Sequence, residues 1–231
     1  ASFDEIAREL TVKAAAAAGL ARVVLIEEPQ AAFYAWIHAQ GDRWESQVSP
    51  GQKILVCDCG GGTSDFTLIR VRRGTGGEAQ FHRVAVGNHL ILGGDNLDLA
   101  LARHLEQRLS DGGQLDPRPW AVLFRTCRQV KETLLGDDAP ERLAVNVPGA
   151  GSKFIGGGRQ IDVARDEVRQ LLLDGFFPRV GFEEQPRRRA SGFQEFGLPF
   201  APDPAITRYL AAFLRSHRHV AMDETDGPAA H

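Results

Sequence analysis

The chain opens with apolar residues at helical spacing. They lie three or four positions apart, which predicts one face of an amphipathic helix: Phe3, Ile6, Leu10, Ala14 and Ala17. Ser2 and Glu5 have the spacing of a capping box at its start. A continuous apolar run then predicts a short buried strand at Arg22–Glu27. Pro29 suits the first turn of a second helix through Ala31–His38, and a polar loop is predicted over Gly41–Gly51.

The middle of the chain changes from strand to helix patterns. Further elements are predicted as three strands near 52–59, 64–71 and 79–87, helices near 95–109 and Pro119–Leu135, a small hairpin within 141–161 turning at Pro148–Gly151, a helix that Asp162 caps and that runs to Leu173, and a helix over Ala205–Leu214. This order predicts an α/β fold of mixed α+β type, in which a mixed sheet is flanked by helices and accompanied by a small α+β subdomain.

Three regions follow from this order. We expect residues 1–109 to form the larger subdomain and residues 110–180 to form a smaller α+β subdomain. Residues 181–231 are expected to hold an irregular connector over Glu183–Pro204, a short helix and a flexible tail.

Composition narrows the class of partner. The 231 residues are 43% hydrophobic with a formal net charge of −3, which is enough apolar material for a buried core. The sequence has no stripe of basic residues, so it does not predict nucleic-acid binding. It also has no apolar run that approaches the roughly 20 residues needed to span a bilayer. The three cysteines suit a reducing, cytoplasmic compartment; Cys57 and Cys59 are expected to share one face of a strand as buried thiols.

The strongest chemical signal is the glycine-rich segment Asp58–Asp65. It joins two predicted strands, so it predicts a tight hairpin. Gly60, Gly61 and Gly62 leave the turn without side chains, so that its amides can approach an anion closely, and Thr63 adds a hydroxyl. The flanking carboxylates of Asp58 and Asp65 suit a hydrated Mg²⁺ or an attacking water. The segment therefore predicts a phosphate-binding hairpin, with an unliganded glycine turn as the alternative.

The same segment resembles the second phosphate motif of the Hsp70 ATPase domain, which belongs to the actin, sugar-kinase and Hsp70 superfamily. Four more segments are similar to Hsp70 motifs in the same order: Ile26–Ala32, Gly87–Asp98, Cys127–Leu134 and Arg159–Arg165. The resemblance runs from about Phe3 to about Val180. It implies a central fragment that covers most of the second lobe of that domain. The family's first phosphate hairpin and catalytic lysine have no match here, and neither has its adenosine-binding Gly-Gly motif.

The resemblance also implies a ligand and roles for residues. It implies ATP or ADP with Mg²⁺ bound between two lobes. Asp58, Glu28 and Asp65 would serve the catalytic machinery, with Asp58 and Glu28 reaching the metal through water. The nucleotide would contact a larger set, namely Gly60, Gly61, Gly62, Thr63, Gly93, Gly94 and Lys131. By the same resemblance, the smaller subdomain would receive a nucleotide-exchange factor or co-chaperone, and an unfolded client would bind only the full-length protein.

Three adenosine positions depart from the family pattern. Arg128 stands where the family has Glu, Glu132 where it has Arg, and Leu135 where it has Ser. Arg128 and Glu132 could instead form a surface pair four residues apart. Three functions stay open on the sequence: the nucleotide-binding lobe of an Hsp70-like chaperone whose isolated fragment hydrolyses ATP negligibly, a degenerate partner-binding module with weak nucleotide binding, and a sugar-kinase-type phosphotransferase.

Overall fold

A computed structural model describes residues 5–20, 22–110, 113–147, 158–187 and 201–219. The chain divides into two compact units. Unit 1 contains Ala1–Asp58, Asp65–His89 and His219–His231, and unit 2 contains Cys59–Ser64 and Leu90–Arg218. The subdomain boundaries that the sequence predicts, after residues 109 and 180, stay a prediction.

Unit 1 is a three-stranded sheet with helices before it. Its elements are α1 (Glu5–Ala17), α2 (Glu28–Gln40), a 3₁₀ turn (Gly41–Arg43), α3 (Trp44–Gln47), β1 (Lys53–Cys59), β2 (Ser64–Arg73) and β3 (Ala79–Val86), of which Cys59 and Ser64 belong to unit 2. The sheet order is β1-β2-β3, and β2 pairs antiparallel with β3. The central strand β2 is buried over most of its length. All three predicted strands are confirmed.

The helix α2 contacts this sheet through an aromatic side chain. Phe33 is buried, and its ring meets Phe81 of β3 edge to face at a centroid distance of 4.7 Å. Trp44 of α3 lies 5.6 Å from the same ring. Pro29 lies in the first turn of α2, where its missing amide hydrogen costs no helical hydrogen bond.

Two expectations about the start of the chain are wrong. Residues 22–27 form no strand, and Val24 is 87% exposed, because a strand needs a hydrogen-bonded neighbour and no described strand pairs with this segment. The loop expected over Gly41–Gly51 contains the 3₁₀ turn and α3. The helix α1 forms as predicted, but none of its side chains is buried, so its apolar face lacks a described partner. The capping-box residue Ser2 lies outside the described residues.

The buried position expected for Cys57 and Cys59 is also wrong. Both cysteines are exposed, whereas Cys127 of unit 2 is buried. The strand β1 is an outer strand of the described sheet, and at its end exposed Cys57 and Cys59 alternate with half-buried Asp58, so the face that holds both cysteines is not buried. Apolar periodicity along a strand does not tell a central strand from an edge.

Unit 2 is built on two long helices and a small hairpin. Its elements are α4 (Gly94–Leu109), α5 (Pro117–Leu135), β4 (Arg142–Val147), β5 (Arg159–Ala164), α6 (Arg165–Val168), a π-helical turn (Arg169–Leu173), α7 (Asp174–Phe176) and α8 (Ile206–Ser216). The helices α4 and α5 pack along each other through fully buried Leu101, Leu105, Leu123 and Leu134. The strands β4 and β5 pair antiparallel, as predicted, and their turn lies outside the described residues.

The helix after β5 begins later than the sequence predicted. Asp162 lies within β5 and does not cap a helix, because Ile161 and Val163 on either side of it alternate into the core as strand residues. The helix starts at Arg165, and Glu167 ties it to α4 through His104 Nε2 at 2.6 Å and Arg108 at 2.5 Å. Burial opposes the charge on Glu167, but these hydrogen bonds outweigh it and lower its pKa.

The helix α8 is the last element of unit 2. It is anchored by Asp203, which is 1% exposed and accepts hydrogen bonds from the amides of Arg187 and Ala205 at 2.8 and 3.0 Å. Arg208 of α8 reaches both carboxylate oxygens of Asp203 at 3.1 Å. The remaining parts of the predicted connector and tail, 188–200 and 220–231, lie outside the described residues. Within the described residues, no helix is long and apolar enough to cross a bilayer.

Candidate phosphate-binding site

The glycine segment forms the tight hairpin that the sequence predicts. The Gly60 amide donates to the Thr63 carbonyl oxygen at 2.9 Å, which closes the turn between β1 and β2. Ser64 ends the turn in a fully buried position, and its hydroxyl donates to the Leu92 carbonyl at 2.8 Å. Backbone hydrogen bonds between Ser64 and Leu90, at 2.9 and 3.2 Å, fix the same end of the hairpin. The turn is therefore held against the segment that leads into α4.

The first turn of α4 docks directly on the hairpin. The Gly94 amide donates to the Gly60 carbonyl at 2.9 Å, and the Asp95 amide donates to the Gly61 carbonyl at 2.8 Å. The Gly93 amide donates to Asn96 Oδ1, also at 2.9 Å. The first amides of a helix lack partners within the helix, so these bonds satisfy donors that would otherwise need solvent or a ligand. The hairpin and the start of α4 thus form one local structure.

Gly93 makes that contact sterically possible. A Cβ atom at this position would lie 2.5 Å from the Gly61 carbonyl oxygen and 2.6 Å from that of Gly60. Both of these are backbone atoms, so no side-chain movement could relieve the clash. Its backbone is extended, with φ −164°, so the requirement for glycine is one of space and not of backbone angle. Gly94 has no such constraint, because a Cβ there meets only ordinary contacts.

The predicted phosphate ligands differ in the donors they offer. The amides of Gly61 and Gly62 donate to no other group in the described part of the chain, and both residues are exposed. The amides of Gly60, Gly93 and Gly94 already donate hydrogen bonds within the protein, so in this conformation they stabilise the turn and the start of α4. An exposed glycine turn with unengaged amides fits an anionic phosphate group. Phosphate contact by any of these residues stays a prediction.

Lys131 lies beside the start of α4 and is paired. Its Nζ atom lies 2.6 Å from Asp98 Oδ1 and donates to the Gly94 carbonyl at 3.2 Å. The side chain of Asp98 is only 6% exposed, and that of Lys131 is 16% exposed. The predicted nucleotide contact of Lys131 therefore competes with an existing ion pair. Sequence analysis missed Asp98 as its partner, although an acidic residue on the same helix face as Leu101 and Leu105 was a signal.

Two of the three departures from the family pattern form a surface pair. Arg128 Nε lies 3.1 Å from Glu132 Oε1, and both side chains are mostly exposed. The hydrogen bond from Arg128 to Glu132, and the attraction between their charges, raises the pKa of the arginine. One turn of α5 thus presents a neutralised pair where the resemblance placed contacts to adenosine. Next to it, burial raises the pKa of Cys127 to about 12, so this thiol is not reactive at neutral pH.

The three predicted carboxylates belong to unit 1. Glu28 is the first residue of α2 and is exposed, so its charge also suits the helix N-terminus. Asp58 is half-buried near the end of β1. Asp65 is 15% exposed and lies 2.5 Å from His89 Nδ1, a partner that sequence analysis missed. Among the residues described, no cluster of three or more His, Cys, Asp or Glu side chains could hold a metal ion.

Comparison with known proteins supports the resemblance. The sequence model of the family described as Hsp70 protein matches residues 1–174. A chaperone protein HscA homolog of Acinetobacter baumannii is 35% identical over 141 residues, which are 61% of this chain and 21% of that protein. The HscA homolog of Pseudoalteromonas atlantica is 33% identical over 174 residues, 75% of this chain and 25% of that protein. The HscA homolog of Aeromonas hydrophila is 36% identical over 141 residues.

The chain spans about a fifth to a quarter of the length of these relatives. The matched residues include the hairpin, the start of α4 and all of α5. The chain therefore belongs to the Hsp70 family, and its helices and antiparallel strands have the actin-like ATPase fold of that family.

Proposed function

We propose that this chain is the phosphate-binding lobe of an Hsp70-type chaperone ATPase that works in the cytoplasm. Membership of the Hsp70 family favours this reading over a sugar kinase. The full-length protein would bind ATP and ADP with Mg²⁺, would respond to a nucleotide-exchange factor or co-chaperone, and would act on unfolded clients. These last properties rest on the family and on the names of the relatives, not on contacts in this chain.

The observation that carries the proposal is the docking of the glycine hairpin on α4. The hairpin carbonyls accept two amide hydrogen bonds from α4, and Gly93 is needed for the close approach. This leaves the amides of Gly61 and Gly62 as donors that a phosphate group can meet without reorganisation of the turn. When bound, Mg²⁺ neutralises phosphate charge and orders water. In this proposal Glu28 and Asp58 would reach the metal through water, and Asp65, which pairs with His89, would help to position the hairpin.

The proposal is tested by titrating the purified chain with Mg·ADP by calorimetry. We expect saturable binding that a Gly61→Val substitution abolishes, because a Cβ there already lies 3.3 Å from Asp95 Oδ1 and a larger side chain also fills the turn. Gly158→Val is the matched control, since a Cβ at Gly158 has only an ordinary contact at 3.6 Å. Binding that survives Gly61→Val would contradict the role of the hairpin.

Hydrolysis by this chain is expected to be negligible. Phosphoryl transfer depends on several groups acting together, and the family's first phosphate hairpin and catalytic lysine have no match in this sequence. Phosphate release from ATP should therefore stay at the level of the Gly61→Val variant. Sustained turnover by the wild-type chain would overturn this part of the proposal.

A second candidate function is a regulatory module that binds phosphate but selects poorly for adenosine. The Arg128–Glu132 pair favours it, because these side chains pair with each other on the surface of α5. Titration with Mg·pyrophosphate separates the two candidates. Tighter binding of Mg·ADP than of Mg·pyrophosphate supports the nucleotide site, and equal binding supports the regulatory module.

A further inference from the structure

Unit 1 contains a cavity that the proposed nucleotide function does not use. It is lined by residues of α2, β2 and β3 and by Glu27, and its volume is about 570 Å³. Pockets that hold small organic ligands are commonly about 300–1,000 Å³, so this cavity is of the right size for one. All the residues that line it belong to unit 1.

The wall of the cavity contains a buried hydroxyl group without a hydrogen-bond partner. Thr67 of β2 is 1% exposed, and among the described residues its Oγ1 atom has no hydrogen-bond partner. Most buried polar groups in proteins are paired with protein or water, so an unpartnered buried hydroxyl is unusual. Thr67 is among the residues that line the cavity, so a group bound there lies next to this unpartnered hydroxyl.

Aromatic rings form the apolar part of the same cavity. Phe33 of α2 and Phe81 of β3 meet edge to face, and Tyr34 lines the cavity beside Phe33. The strand register places Phe81 opposite Val71 and Arg83 opposite Ile69, so Thr67, Ile69 and Phe81 share one face of the sheet. Rings in edge-to-face contact leave faces and edges for a further planar ring. The hydroxyl and the aromatic wall therefore lie on one surface.

The acidic and the basic side chain that line the cavity compensate each other. Glu27 and Arg83, at the N-cap of α2 and on β3, form an ion pair in which both side chains are about half exposed. Each charge already has a partner, so neither is left to select an anion or a cation. The cavity thus favours a neutral ligand.

We propose that this cavity binds a neutral, planar aromatic molecule that carries a hydroxyl or a comparably small hydrogen-bonding group. The ring packs against Phe33 and Phe81, and the polar group bonds with Thr67 Oγ1. The proposal does not depend on nucleotide binding, because it uses none of the residues of the phosphate site.

The test compares two probes of nearly the same shape, 2-naphthol and naphthalene, by saturation-transfer NMR on the whole chain. We expect 2-naphthol to bind the wild-type chain about fivefold more tightly than naphthalene, since one hydrogen bond contributes about 1 kcal/mol. Thr67→Val keeps the side-chain shape and removes the hydroxyl, so it should lower 2-naphthol affinity about fivefold and leave naphthalene affinity unchanged. Thr126→Val on α5, outside the cavity lining, is the matched control and should change neither affinity.

Each outcome decides the proposal. If neither probe binds the wild-type chain, or if both bind it equally, the proposed recognition is wrong. If Thr67→Val weakens naphthalene as much as 2-naphthol, the hydroxyl does not provide the contact. Circular dichroism and the thermal midpoint verify that Thr67→Val is folded; should it unfold, Phe81→Leu replaces it and must weaken both probes on a folded chain.

Discussion

Gly93 shows how a single residue sets the geometry of the candidate site. Substitution by alanine would place a Cβ atom 2.5 Å from a hairpin carbonyl oxygen, so the hairpin or the start of α4 must move. We predict that Gly93→Ala destabilises the chain by about 1–3 kcal/mol, as overpacking does elsewhere, and weakens Mg·ADP binding. Urea unfolding and calorimetry measure the two effects.

Gly62→Ala is the control for stability in the same turn. A Cβ at Gly62 meets no atom within 4 Å, so we expect a change in the free energy of unfolding below about 0.5 kcal/mol. Equal stability losses for Gly93→Ala and Gly62→Ala would mean that the loss comes from turn flexibility and not from the close approach of two backbones.

The Lys131–Asp98 pair allows a second prediction at the residue scale. Lys131→Met keeps much of the side-chain volume but leaves the carboxylate of Asp98 nearly buried without its cation. We predict a loss of about 2–4 kcal/mol in the free energy of unfolding, with partial recovery in Lys131→Met/Asp98→Leu. The exposed pair on α5 is the comparison: Glu132→Gln should leave the unfolding midpoint unchanged. If the Lys131→Met chain is as stable as wild type, the pair does not contribute to the free energy of unfolding.

At the scale of elements, α8 is anchored by a carboxylate, which makes its anchoring depend on pH. Burial raises the pKa of Asp203, but two amide donors and Arg208 outweigh it, so the net effect lowers the pKa. A carboxylate with a lowered pKa in the folded state contributes its full stability above the unfolded value of about 4. That contribution is lost as the pH falls through the lower folded value.

Asp203→Asn tests this dependence. At pH 6 the variant should unfold at lower urea concentration than wild type, because asparagine cannot replace the charged contact with Arg208. The difference should shrink between pH 4 and pH 2.5, where wild type also loses its charge. Asp138→Asn, at an exposed position, is the control and should show no such convergence. A constant difference across this range would contradict the anchoring role of the charge.

The sequence predicted elements wherever the local pattern and the final burial agree. The strands β1, β2 and β3 pair with one another in the sheet, and the helices α4 and α5 bury their apolar faces, so their local pattern was sufficient to predict these elements. The segment 22–27 has a strand pattern without a described partner, and Asp162 has the residue type of a helix cap within a paired strand. Pairing is a tertiary property, which explains why both were missed.

In the candidate site, too, local features were predictable from the sequence and long-range contacts were not. The hairpin at Gly60–Thr63 was predictable, because three glycines between strands specify a local turn. The contact of Gly93 with the hairpin, the Lys131–Asp98 pair and the Asp65–His89 pair were not, because each joins residues far apart along the chain.

At the scale of the whole molecule, the helices α1 and α4 differ in the burial of their apolar side chains. In unit 2, Leu101 of α4 is fully buried, whereas in unit 1 Leu10 of α1 is 59% exposed and Ile6, four residues before it, is 69% exposed. We predict that Leu10→Ala changes the free energy of unfolding by less than about 0.5 kcal/mol, while Leu101→Ala costs about 2–5 kcal/mol because it leaves a cavity. Urea unfolding of the two variants measures this contrast.

We predict that the exposed apolar face of α1 lowers the solubility of the chain and does not contribute to its folding stability. Ile6 and Leu10 are one helical turn apart, so they form a contiguous apolar surface, and such surfaces bind hydrophobic dyes and promote association. The double substitution Ile6→Glu/Leu10→Glu should lower binding of anilinonaphthalene sulfonate and concentration-dependent light scattering, with the unfolding midpoint unchanged. A lower midpoint would show instead that α1 is packed in solution, because a charge placed at a buried position destabilises a fold. Dye binding and stability therefore separate an uncovered helix face from a covered one.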